Sequence, residues 1–189
     1  MDNSVQENVS VLELKRFNFN DLYYFNESGE RVIISAHDEL KMLEQFKADY
    51  VRSNPSFVDF VYIIIGVRSE SKEKIEADVK LAIQTQKEFP DFIRAYDLVV
   101  EEDQGHSILY HRKALIDGFN YIDSESNGSF SYIFHSVETN WPIDLMAPQI
   151  GDDSSAAENI YDAIVFKSKR IGHGLGLIKH PLLYPYFIR

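Results

Sequence analysis

The feature that most constrains this chain is an unbroken apolar run, Val61-Tyr62-Ile63-Ile64-Ile65, inside a longer apolar stretch at 57–67. A strand with one face in water alternates apolar and polar residues, because successive side chains point to opposite faces. A β-branched run without that alternation needs cover on both faces, which is how strands of parallel sheets read. Parallel neighbours cannot be joined by a tight hairpin and need long crossovers, usually helices. The run therefore predicts an α/β protein in which strands and helices alternate.

The flanking segments follow that alternation. Residues 9–14 read as a short strand with Val9, Val11 and Glu13 on one face, followed by a loop rich in Asn, Asp and aromatics through Gly29. Ser35 with Asp38 three residues on resembles a capping box, and Leu40, Leu43, Phe46 and Tyr50 recur at helical spacing until Asn54-Pro55. Beyond the run, Ile75, Val79, Ala82 and Ile83 mark a second amphipathic helix that stops near Phe89-Pro90. A third strand is expected at 93–100, then the acidic turn Glu101-Glu102-Asp103-Gln104-Gly105, a helix around 106–116 and a polar loop at 124–129. A fourth strand is expected at 130–135, with an irregular stretch at 141–153 after it. Ser155 with Glu158 suggests another capping box, for a helix using Ile160, Ala163 and Ile164; a last short strand at 169–173 precedes a Pro/Tyr-rich tail. Five strands alternating with helices imply βαβ units and a parallel sheet. With no internal repeat or boundary, 1–189 reads as a single domain.

Composition narrows the function classes. The 189 residues carry a formal net charge of −11, which argues against a nucleic-acid surface, since phosphate binding needs clustered Lys and Arg. No apolar stretch approaches the roughly 20 residues of a membrane span. The polar, acidic N-terminus reads as lacking a secretory leader. Absence of cysteine excludes disulfides and thiolate chemistry. Asn8, Asn26 and Asn127 begin N-x-Ser sequons, which matter only in a secreted chain.

In α/β folds, functional groups gather at the carboxyl ends of the strands. Glu101, Glu102, His135, Glu138 and His173 are all expected there. Two histidines and a carboxylate converging at strand ends suit metal-assisted hydrolysis, which asks for a ligand, a water-orienting group and a proton donor. Read without further context, each has a plainer role: a hydrogen-bonded histidine, a turn carboxylate, a solvated acidic turn, a histidine in a tight glycine turn.

Five words occur in order that resemble the adenosine deaminases, in particular their extracellular branch, the adenosine deaminase-related growth factors. Leu12-Glu13-Leu14 looks like the family's Glu-Leu-Arg strand, with Lys15 where the arginine is expected. Lys87-Glu88-Phe89-Pro90-Asp91-Phe92 and Tyr96-Asp97-Leu98-Val99 look like its "FPDF…DLVG" segment, and Glu102-Asp103-Gln104-Gly105-His106-Ser107 its "EDMGHS". The segment 134–141 looks like "FHAGETDW", and 170–181 like "RIGHG…KHP". The resemblance covers about 9–181 and implies an incomplete TIM-type (β/α) barrel, with about five of eight parallel strands and their helices.

It further implies zinc-dependent hydrolysis of adenosine, or a related purine nucleoside, to inosine and ammonia. By resemblance His135 is a zinc ligand, Glu138 protonates the purine ring, and His173 orients the attacking water; Glu101 and Glu102 stand where the base is contacted. Three departures stand against that activity. No His-x-His occurs, so the family's paired zinc ligands, and an aspartate from its last strand, are missing. Ser136-Val137 replaces Ala-Gly, and Val100 replaces a glycine, so the pocket should be crowded. Deaminase activity is therefore expected to be lost from a truncated chain. The alternative is a non-catalytic, growth-factor-like interaction protein, in which a second copy or another partner covers the open barrel edges. The branch resembled is extracellular; a cytoplasmic setting is the alternative for a chain without a leader.

Overall fold

The computed structural model describes residues 2–17, 22–139 and 156–187. The expected irregular stretch at 141–153 and the Ser155 half of the second capping box lie outside them. The elements are α1 (Asp2–Gln6), β1 (Val11–Phe17), β2 (Leu22–Phe25), β3 (Arg31–Ile34), α2 (Ala36–Ser53), β4 (Asp59–Val67), α3 (Lys72–Glu88) and β5 (Ile93–Val99). After these come α4 (Arg112–Ser124), β6 (Ser131–Tyr132), β7 (His135–Ser136), α5 (Asn159–Val165), β8 (Gly172–His173) and α6 (Tyr184–Phe187).

The apolar run is the inner strand of a parallel sheet ordered β1-β4-β5-β6. Its two faces bury different sets. Phe60 and Ile64 join the main core with Leu40 of α2, Ile75, Val79 and Ala82 of α3, and Leu115 of α4. Ile63 and Ile65 face the other way, where they are buried with Ala95 and Ile133. All four side chains are buried, so neither face of β4 is open to water at these positions.

The expected fourth strand is split, and the split matters for the site. Residues 131–132 pair with β5, whereas 135–136 pair in parallel with β8. Backbone bonds from Lys169 N to Tyr132 O, Gly172 N to Phe134 O and Gly174 N to Ser136 O carry 169–174 along the far side of this segment. Parallel pairing thus continues from β1 through β4 and β5 to the 131–136 segment and then β8.

Helix starts follow their caps. Ser35 Oγ accepts from Asp38 N at 3.1 Å at the head of α2, as the sequence suggests, and Ser71 Oγ does the same for Lys74 N at 3.2 Å in α3. Two expectations shift. The helix expected around 106–116 is α-helical only from Arg112, after a 3-10 turn; ahead of it Ser107 Oγ accepts from Tyr110 N and Asn159 Oδ1 from Ile108 N. Part of the loop expected through Gly29 is instead the hairpin β2–β3, closed by Asn26 Oδ1 accepting from Ser28 N and Glu30 N, with Gly29 left-handed at φ 79°. Its Tyr23, Tyr24, Phe25 and Ile33 are exposed. No helix among the described residues is long and apolar enough to cross a membrane.

Because Ile64 is fully buried between the sheet and its helices, Ile64→Ala should cost about 2–5 kcal/mol in a urea titration.

Candidate functional site

The polar groups collect where β1, β5, β7 and β8 end. Asp97 lies within the apolar strand β5 and is 0% exposed. A buried carboxylate is tolerated only with partners, and Asp97 has three. Its Oδ1 accepts from the His135 backbone N–H at 2.9 Å, while Oδ2 lies 2.5 Å from His135 Nδ1 and 3.0 Å from Lys15 Nζ. Lys15 reaches there from β1, across β4. Its ammonium lies 3.0 Å from His135 Nε2 and 3.4 Å from Nδ1, so it rests against the ring near both nitrogens rather than on one lone pair.

His173 and Glu138 complete the cluster. The His135 and His173 rings have centroids 4.9 Å apart, and His173 Nε2 lies 3.6 Å from Glu138 Oε1. Both His173 and Glu138 are about one-third exposed, so they face the opening while Asp97 lies beneath. Gly172 permits this packing: a Cβ there would lie 3.2 Å from Cγ and Cδ2 of His135.

Glu102 behaves unlike a solvated acidic turn. It is 1% exposed, and its carboxylate accepts from Val137 N at 2.9 Å, Glu138 N at 2.6 Å and Asn159 Nδ2 at 2.8 Å. It holds the backbone that carries Glu138. Glu101 is exposed and accepts from Gln104 Nε2 at 2.9 Å. Beneath them, Arg68 is fully buried and ties three strand ends together, donating to the carbonyls of His135 at 2.9 Å, Leu98 at 3.4 Å and His106 at 3.4 Å. Burial pulls its pKa down, while Glu102, Asp97, Glu138 and Asp103 pull the other way. Gly105 leaves room for it, since a Cβ would fall 2.3 Å from Arg68 Cγ.

Of the residues expected from sequence, the structure brings His135, Glu138 and His173 into one cluster, puts Glu102 behind it as a buried anchor, and leaves Glu101 on the rim. Sequence reasoning passes over Lys15, Arg68, Asp97 and Asn159 as working parts. Asp97 carries a signal, because a lone carboxylate inside an apolar strand must have partners. Arg68 and Asn159 carry none that spacing reveals.

Val100 and Val137 sit at φ 79° and φ 50°, a region β-branched residues rarely enter. The glycines expected at these positions thus have a backbone reason beyond pocket space. Val137 is buried against Gly176, whereas Val100 is 51% exposed.

The chemistry of the donors does not fit a catalytic zinc. Such a site needs about three protein ligands, with Zn–N near 2.0–2.1 Å. A divalent ion at that distance from His135 Nε2 would lie within about 5 Å of the Lys15 ammonium, and like charges repel strongly in a partly buried site. Among the described residues no group of three or more histidines and carboxylates is arranged to hold a metal ion.

Fold and site define an α/β protein of parallel sheet whose polar cluster lies at the carboxyl ends of its strands. No protein-family model matches the chain. Among curated proteins it is 28% identical over 179 residues to adenosine deaminase 2 of Sus scrofa, covering 95% of this chain and 31% of that protein. It is 29% identical over 189 residues to adenosine deaminase 2 of Homo sapiens, covering 98% of this chain and 32% of that protein. With adenosine deaminase of Aedes albopictus it shares 30% identity over 154 residues, 82% of this chain and 24% of that protein. Over most of its length the chain is thus similar to one segment of adenosine deaminases. It spans about a third or less of the length of these relatives.

Two variants test this geometry. Val100→Gly should raise stability by about 1 kcal/mol, since it relieves a left-handed valine with little burial to lose; thermal unfolding reads it. Glu102→Gln replaces one acceptor oxygen with a donor facing N–H groups. It should cost about 1–3 kcal/mol and speed amide exchange at Val137 and Glu138.

Proposed function

We propose that these 189 residues form a five-strand sector of an incomplete TIM-type (β/α) barrel of the adenosine deaminase type, and a single domain. The parent chemistry is hydrolytic deamination of adenosine to inosine and ammonia. The residues on their own bind a purine nucleoside at the rim formed by Glu101, Glu138 and His173, and do not turn it over. The observation that carries this reading is the Lys15 ammonium held 3.0 Å from His135 Nε2, where the family resemblance assigns His135 to zinc. In the nucleoside site, Glu138 would face the purine as hydrogen-bond partner and His173 would orient it, with Glu102 fixing the backbone beneath. The extracellular character of the resembled branch, together with three sequons, favours an extracellular setting for the lineage.

A second reading, a non-catalytic protein that works by binding a partner or a second copy, is favoured by the exposed aromatic hairpin, with Tyr23, Tyr24 and Phe25 all facing solvent.

One preparation separates these readings. Purified chain dialysed against zinc should hold well under one zinc per chain and leave adenosine absorbance unchanged, while adenosine shifts the NMR signals of Glu138 and His173. Stoichiometric zinc with loss of adenosine would overturn the non-hydrolytic reading. A metal-free dimer indifferent to adenosine would favour the interaction reading.

A further inference from the structure

We propose that Lys15 is the resident cation of this site: its ammonium neutralises the buried Asp97 and, by resting against the His135 ring, keeps a divalent metal off His135 Nε2. The inference deepens the non-hydrolytic reading and rests on it for the choice of zinc as probe.

Three observations carry it. First, Asp97 is fully buried on an apolar strand, and Lys15 is the cation in ion-pair contact with it, at 3.0 Å. Arg68 and Arg170 also act on this charge through space, but the Nη1 and Nη2 groups of Arg68 donate to backbone carbonyls rather than to the carboxylate. Second, the ammonium is placed by register as well as by charge. Lys15 pairs with Ile63 on β4, and Asp97 pairs with Ile65 on the same strand, so the side chain crosses β4 on one face to meet the carboxylate. Third, the same ammonium lies within 3.4 Å of both ring nitrogens of His135, and the ring is also fixed by Asp97 on its Nδ1 side. A carboxylate on one histidine nitrogen is the arrangement that normally presents the other nitrogen to a metal. Here a fixed positive charge stands beside that other nitrogen instead.

A compact ammonium on a long stem suits this role, because three donors can face a carboxylate oxygen and a ring at once. Removing the charge while keeping the stem length, as in Lys15→Met, should open His135 Nε2 to a metal.

The test is a zinc titration of ¹⁵N-histidine-labelled protein. In the unaltered chain, zinc should leave the His135 ring signals in place; in Lys15→Met they should shift, with zinc affinity at His135 at least tenfold higher. Lys15→Arg should behave as the unaltered chain, because it keeps the positive charge. Equal zinc affinity at His135 in the unaltered chain and Lys15→Met would overturn the proposal while leaving the non-hydrolytic reading standing. Adenosine turnover with His135 untouched by zinc would do the reverse. If Lys15→Met fails to fold, the unaltered chain decides: a nuclear Overhauser contact between the Lys15 ε-methylene and His135 Hε1 supports the proposal, and its absence overturns it.

Discussion

The structure around the strand ends depends on the burial of the Asp97 carboxylate. A charge taken out of water is costly unless its oxygens are fully engaged, and each partner of Asp97 comes from a distant part of the chain. The His135 amide and ring come from β7, the ammonium from β1. Losing any one of them would leave charge without compensation, so the three strands are held in a fixed relation. Glu102 repeats the device one layer outward, gathering the Val137 and Glu138 amides and the Asn159 side chain. Arg68 closes it from below by donating to carbonyls at the ends of β5 and β7 and in the loop at His106. The polar cluster is therefore a stitched network first, and a ligand-facing surface only at its outer members, Glu138 and His173.

The turns after β5 and β7 are left-handed, although valines stand where glycine would adopt them without strain. Buried hydrogen bonds at Glu102 impose the second turn strongly enough to hold Val137 at φ 50°. An ammonium now lies against the histidine that the resemblance assigns to a metal.

Much of the architecture was legible beforehand. The 61–65 run, the spacing of Leu40, Leu43 and Tyr50, and the stops at Asn54 and Phe89 all speak through local rules: two-residue alternation, helical periodicity, and capping. Those rules missed the β2–β3 hairpin, whose first strand is exposed on both faces and so shows no alternation. They also placed the start of α4 early, since a 3-10 turn at 109–111 leads into it and local periodicity does not separate the two helix types. The site was legible as a set of positions at strand ends, and Glu138, His135 and His173 do come together. The burial of Glu102 was not legible, since a run of acidic residues in a turn looks the same whether it points into water or into backbone amides.

By itself the sequence determined the α/β class, the resemblance to adenosine deaminases, and the strand ends at which polar groups stand, because these rest on periodicity and on short words that are read locally. Tertiary structure alone decided which charges meet. Lys15, Asp97 and His135 are separated by long stretches of chain, and the β1-β4-β5-β6 register brings them within hydrogen-bonding distance. The difference is physical: a strand's pattern is set by its own neighbours, whereas the state of a buried charge is set by whatever the fold places beside it.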